Sequence, residues 1–500
     1  MCARLLLVTL VLGACASGPD EVRCVTPAAA PAPAAAPDAP AAQAPAAAGP
    51  YAVVVSQKTF GDAAWRDVCL ELVRRHRASI VTWDAAVGEA QAALAQAMPA
   101  YACFVATPEE AGRDFVVAVH RLTRRLDDDP YTDCLWGILT GYDAADAQRV
   151  AAAAGPLVLR KALSGTSGGK LDAFAEAAMF DEGKAGRMTV KTPDGKTEEK
   201  GCPADSTGSI VDYLNREKPD AFITSGHATE HDWQIGYSYK GGQLRCKEGQ
   251  LFGLDTQGQR LDVQSPNPKV FLPVGNCLIG HVPGRDCMVT AMIHSGGVVQ
   301  MFGYIVPTWY GKGGWGIQDL LLGQPGRFTL AEAFYLNTQA MLHEIQTRFG
   351  RSAGVDFARY DLERRPRLID ELAARHNLKD RDELGLLWDR DTVAFYGDPA
   401  FEARPAPRPL AWEQTLRVDG RRYTFAIAAT QVGSWPERPV MMLLPHRVAN
   451  VKVVAGADLK PVVADNFILV PLAGRFGAGE KIEIVFEADP AGPPAKTALP

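Results

Sequence analysis

Three features are scarce in this 500-residue chain, and each scarcity removes a class of protein. Beyond the N-terminus no apolar run is long enough to span a bilayer, which takes about 20 helical residues. There is no basic excess: Lys and Arg total 52 against 58 Asp and Glu, a net charge of -6, so no nucleic-acid partner is expected. Cysteine is present in ten copies, but without the dense spacing of a disulfide framework. Cys69 falls in a helical pattern and Cys103 in an apolar strand, both expected to be buried. Cys202 and Cys246 flank the segment around His227 and could pair. The hydrophobic fraction is 47%, ample for a packed core.

The N-terminus reads as an export signal. Arg4 precedes a short apolar run, Leu5 to Leu12, too short for a stable membrane span. The run ends in Leu12-Gly13-Ala14-Cys15, which resembles a lipobox. That resemblance implies cleavage before Cys15 and lipid attachment to its sulfur. Residue 16 is Ala rather than Asp, so inner-membrane retention is not suggested. The expected order is a signal peptide over 1–15, an Ala/Pro-rich spacer over 16–50 that cannot bury a core, and a folded remainder. Localisation is then the cell envelope, lipid-anchored at the outer membrane or cell surface, with the anchor as the only membrane contact.

From Tyr51 strand and helix patterns alternate. Apolar runs at 51–56, 78–83, 101–106 and 135–140 are separated by amphipathic stretches at 62–76, 85–97 and 115–124. The region 154–209 is less regular, with 191–200 read as an exposed hairpin or loop. Alternation resumes with strands at 220–225, 269–274 and 297–302 and a helix from the N-cap Thr329 to Arg348. Such alternation predicts an α/β fold, a parallel sheet with helices on both faces. After Pro409 helical periodicity is missing and the period becomes two, with an Asp419-Gly420 hairpin signal, which predicts an appended all-β sandwich.

In a parallel α/β sheet reactive groups collect at strand carboxyl ends. Two strands here end in such groups: 220–225 runs into Gly226-His227-Ala228, and 269–274 into Gly275-Asn276-Cys277. If the strands are neighbours, His227 is placed to act as base and Cys277 as the attacking thiolate. The backbone amides of Cys277 and Ala228 are the candidates for an oxyanion site.

These blocks resemble the gingipain family of cysteine peptidases, in the clan of caspases and legumains. Gly226-His227-Ala228-Thr229-Glu230-His231-Asp232-Trp233 is similar to the family's His block, and Val274-Gly275-Asn276-Cys277-Leu278-Ile279-Gly280 to its Cys block. Trp309 matches the aromatic lid of the specificity pocket, and Thr392 to Pro399 the closing segment. The resemblance implies a caspase-like sheet in two subdomains, 51–160 and 161–405, with an immunoglobulin-like sandwich at 406–500. It implies a peptide or protein substrate, no cofactor for the reaction, and calcium as a structural ion. Trp309, Glu230 and Asp181 are the substrate-binding candidates; an acid at Asp181 or Glu182 would suit a basic side chain, since the family cleaves after Arg or Lys. Ala228 departs from the family's Gly. If that position needs positive φ, its Cβ costs about 1 kcal/mol.

Two other classes remain. One is a catalytically inactive surface or assembly protein of the same fold. The other is a zinc hydrolase, because His227-Ala228-Thr229-Glu230-His231 fits H-x-x-E-H, with Glu344 as a remote third ligand. That motif needs a helix, whereas here it follows an apolar strand. His281, Cys287 and His294 are read as packing residues and Asp398 as a turn residue.

Overall fold

Twelve strands of the computed structural model, which describes residues 51–357 and 367–491, join in a single mixed sheet. In chain order they are β1 Tyr51–Ser56, β2 Ser79–Trp83, β3 Tyr101–Val105, β4 Leu135–Leu139, β5 Lys161–Ser164, β6 Glu176–Phe180, β7 Arg187–Lys191, β8 Thr197–Gly201, β9 Ala221–Thr224, β10 Lys269–Pro273, β11 Val298–Tyr304 and β12 Val393–Tyr396. Their order in the sheet is β2-β1-β3-β4-β12-β11-β10-β9-β5-β6-β7-β8. The expected signal peptide over 1–15, with Cys15, and the expected 16–50 spacer lie outside the described residues.

The sheet is not uniformly parallel, which corrects the expectation from alternation. β2, β1, β3, β4 and β12 run one way, whereas β11, β10, β9, β5 and β6 run the other. The reversal lies at the antiparallel β11–β12 pair, where Met301 faces Tyr396 and Tyr304 faces Val393. Hydrophobic period reveals a buried strand but not the direction of its neighbour, so this seam was not legible. β12 thus joins strands of the two expected subdomains in one sheet. The irregular region 154–209 supplies β5 and β6, and the expected 191–200 hairpin is the antiparallel pair β7–β8.

The strands are buried for the reason their composition suggested. β1, β4, β10, β11 and β12 are buried along their whole length, as continuous apolar runs in a covered sheet require. The helix Leu330–Phe349 starts at Thr329, whose hydroxyl accepts from Glu332 N while the Glu332 carboxylate accepts from Thr329 N. A small antiparallel sheet, formed by Asp232–Gln234, Gln243–Lys247, Gln250–Leu254 and Arg260–Asp262, is inserted between β9 and β10. Neither this insertion nor the helices at 312–323, 367–376 and 381–389 were anticipated.

The C-terminal segment is all-β. Trp412–Asp419, Arg422–Ala429, Lys481–Pro490 and Val448–Ala455 form one sheet, and Val440–Leu443, Phe467–Val470 and Val462–Val463 another. Gly420, at φ +58°, makes the predicted hairpin turn. Phe467–Val470 is buried on both faces: Ile468 and Val470 join Phe425, Ile427 and Phe486 in a separate core, while Phe467 and Leu469 join the main one. Period-two alternation therefore ties this segment to the body.

Candidate active site

β9 and β10 are parallel neighbours, with Ala221 opposite Val270 and Thr224 opposite Pro273. Their carboxyl ends therefore lie together, as the strand patterns required. After β9 the chain turns at Gly226, whose φ of +93° is a region that favours glycine, and presents His227 at the surface. After β10, Gly275 and Asn276 lead to the half-buried Cys277.

One side chain ties the two ends together. Asn276 is fully buried. Its Oδ1 accepts from Thr224 Oγ1 at 2.7 Å, and its Nδ2 donates to Gly226 O at 3.1 Å. The residue before the thiol is thus bonded to the residue before the imidazole. The Cys277 sulfur accepts from Thr308 N at 3.2 Å, and Thr308 Oγ1 donates to Asn276 O at 3.0 Å. No hydrogen bond joins the Cys277 thiol to His227; the imidazole stacks on Tyr237, with ring centroids 4.9 Å apart and planes 23° apart.

His227 and Cys277 line one cleft of about 480 Å³. Trp309 lines it too, as the sequence indicated. Glu182, Tyr237, Thr308, Tyr310 and Trp315 are further walls. Glu182 takes the place expected of Asp181: it follows β6, and its carboxylate accepts from Thr166 Oγ1, Ser167 Oγ and Ser167 N. Asp181, one residue earlier, does not line the cleft; its carboxylate accepts from Gly183 N instead. Glu230 does not line it either, because the chain turns away after His227 to enter the inserted sheet. The cleft's neighbours Tyr237 and Trp315 had no sequence signal, since both arrive from elements that the strand-end rule does not cover.

The oxyanion candidates behave unequally. The backbone N–H groups of Cys277 and Ala228 carry no hydrogen bond within the described residues, so each is available to a ligand. Ala228 itself lies just outside the cleft walls, in a bridge with Trp233. Its φ is not positive, so the strain anticipated for its Cβ does not arise. The left-handed residue is Leu278, directly after Cys277, at φ +57°. A bulky side chain there is a strained backbone position of the kind that gathers at functional sites.

The zinc alternative fails on local structure. Residues 225–231 form turns and a bridge, not a helix, so His227 and His231 share no helical face. Among the described residues the one group of three close metal-ligating side chains is Asp127, Asp129 and Asp465. Glu344 pairs with Lys312 and Arg348. The Asp127–Asp129–Asp465 donors are hard carboxylate oxygens, but their negative charge is already partly offset. Arg447 already neutralises Asp465, and burial, with Asp127 and Asp465 nearby, pushes Asp129 up to about 6.

Other residues resolve as structural. Cys202 and Cys246 are free thiols rather than a pair. Burial, aided by Arg113, lowers His281 to about 4 and keeps it neutral. His294 bonds Asp146 at 2.8 Å, and Cys287 is buried at a helix start. Asp398 is more than a turn residue: it is buried, accepting from Tyr51 Oη at 2.8 Å and pairing with His76 at 2.7 Å.

No family model and no curated protein matches the chain. Among solved structures it is similar to the complex of Porphyromonas gingivalis RgpB pro- and mature domains, with a TM-score of 0.39 and 11% identity over 88% of this chain and 100% of that one. A likeness that loose carries no argument, and the functional reading rests on the cleft itself.

Proposed function

We propose that this chain is a cysteine peptidase of caspase-like fold, with Cys277 as nucleophile and His227 as base and then acid. The observation that carries the reading is the shared cleft, where a thiol and an imidazole stand at the ends of adjacent parallel strands tied by Asn276. The Cys277 thiol loses its proton to His227 and the thiolate attacks the peptide carbonyl carbon. The C–N bond breaks as His227 returns the proton to the leaving amine. Water, deprotonated by His227, then hydrolyses the thioester and frees Cys277. The unbonded N–H groups of Cys277 and Ala228 would meet the developing oxyanion.

The cleft walls favour a cationic side chain beside the scissile bond. Glu182 brings a carboxylate, and Trp309, Tyr310 and Trp315 bring aromatic faces, the pairing that recognises Lys or Arg. The lipid anchor at Cys15, the envelope location and the immunoglobulin-like character of the C-terminal sheets belong to the same proposal.

The test is hydrolysis of a peptide library by the wild type and by Cys277→Ala, with iodoacetamide and with phenanthroline. Loss with iodoacetamide and with Cys277→Ala supports the reading; loss to the chelator alone overturns it. The rival is a binding or assembly protein, favoured by the absence of a Cys277–His227 hydrogen bond. No hydrolysis together with an unreactive Cys277 would establish that rival.

A further inference from the structure

His227 has an unusual neighbour for a catalytic imidazole. No carboxylate bonds it within the described residues. The acid in the same cleft, Glu182, is held by Thr166 and Ser167. What touches the imidazole ring is Tyr237, nearly parallel at 4.9 Å. Tyr237 is 57% exposed, one of few large hydrophobic side chains left in solvent. Its place is nevertheless fixed: Tyr237 N and Ser238 N both donate to Glu182 O, at 2.7 and 3.0 Å. Gly226 lies beneath the Tyr237 ring, and a Cβ there would sit 3.5 Å from it. An exposed ring held by its backbone over one imidazole has no role in the core.

We infer that Tyr237 is the positioning residue for His227, orienting the imidazole and stabilising its protonated form through the ring face. A cation over an aromatic face is favoured. An imidazolium so stabilised favours the Cys277 thiolate beside it, the work a carboxylate does in a triad. This deepens the peptidase reading and rests on it. The titratable groups that face His227 are Glu182 from the segment after β6, Cys277 after β10, Tyr310 after β11 and Tyr237 from the loop of the inserted sheet; Glu230 and His231 follow on its own loop.

The experiment is the rate of Cys277 alkylation by iodoacetamide across pH 5 to 9, in full-length wild type, His227→Ala, Tyr237→Ala and Tyr237→Phe. Circular dichroism checks that each is folded, which the exposure of Tyr237 favours. Wild type should show a limb of reactivity at neutral pH that His227→Ala lacks. Tyr237→Ala should lose roughly three- to fivefold of that limb, and Tyr237→Phe should restore it toward wild type. A limb present in wild type and unchanged in Tyr237→Ala overturns this inference and spares the peptidase reading. Failure of Tyr237→Phe to restore it also overturns the inference, because the ring face would then not be the cause. A wild type without any His227-dependent limb overturns both.

Discussion

The two parallel halves of the sheet run in opposite directions, and their carboxyl ends are finished in different ways. Where β1 ends, Ser56 Oγ and Thr59 Oγ1 each donate to one oxygen of Glu110 at 2.6 Å, and Ser56 also accepts from Thr59 N to cap the next helix. The Ser56, Thr59 and Glu110 side chains there are bonded to one another. Where β9 and β10 end, Asn276 and Thr308 are likewise engaged, but the loops they tie together carry a thiol and an imidazole that line a cleft. The same topology rule operates at both edges. What distinguishes a structural edge from a chemical one is whether the polar groups satisfy one another or are kept for a ligand.

That contrast is open to direct attack, and the sharpest cut is at Cys277. Cys277→Ala should lower peptide hydrolysis by about 10³-fold or more while leaving the melting temperature within a few degrees, measured by turnover and calorimetry. Asn276→Ala should come next, because it strands the Thr224 hydroxyl and the Gly226 carbonyl in a buried place. About 2–4 kcal/mol of stability should go, read by denaturant unfolding, together with the neutral-pH reactivity of Cys277. At the opposite edge, Glu110→Ala should cost about 1–3 kcal/mol by the same measurement and leave Cys277 alkylation as it was. If Glu110→Ala silences Cys277, the two edges are not independent and the contrast fails.

A pH effect tests a buried carboxylate outside the cleft walls. Asp389 is fully buried, accepting from Gly313 N at 2.8 Å and Tyr304 Oη at 3.1 Å, with its other oxygen unpartnered. Burial raises its carboxyl to about 6, against the bonds from Gly313 and Tyr304. The folded value lies above the unfolded one, so its contribution is present below the unfolded value and is lost as pH rises through about 6. Asp389→Asn should therefore remove about 2 kcal/mol of the stability lost between pH 4 and pH 7, visible as a flatter melting temperature profile. The smallest effect belongs to Ala228→Gly: with no positive φ to relieve, stability should change by less than about 0.5 kcal/mol.

Much of this was legible before the fold was known, and the reasons are local. Continuous apolar runs such as 51–56 and 269–274 can only be covered strands, and Gly-His and Gly-Asn-Cys directly after two of them mark strand-end loops. Thr329 with Glu332 announces its own helix start. Other features depend on neighbours that sequence does not name. Asp181 and Glu182 are equally acidic and adjacent, and only the turn after β6 decides that Glu182 faces the cleft. Ala228 looked like the strained position, whereas the strain sits at Leu278. The H-x-x-E-H spacing was real, but spacing means nothing to a metal without the helix that would align it.

The sequence by itself determined the continuous apolar strands such as β1, β4 and β10, the glycine turn before His227, the placement of Cys277 past a buried strand, and the change to period two after Pro409, because each follows from burial pattern and backbone freedom within a few residues. Only the tertiary structure decided that β9 and β10 are neighbours, that β12 reverses the sheet, that Asn276 bridges the two loops, and that Tyr237 lies on His227. Those depend on pairings between residues far apart in the chain, which no local energy specifies and which are settled only when the whole core packs.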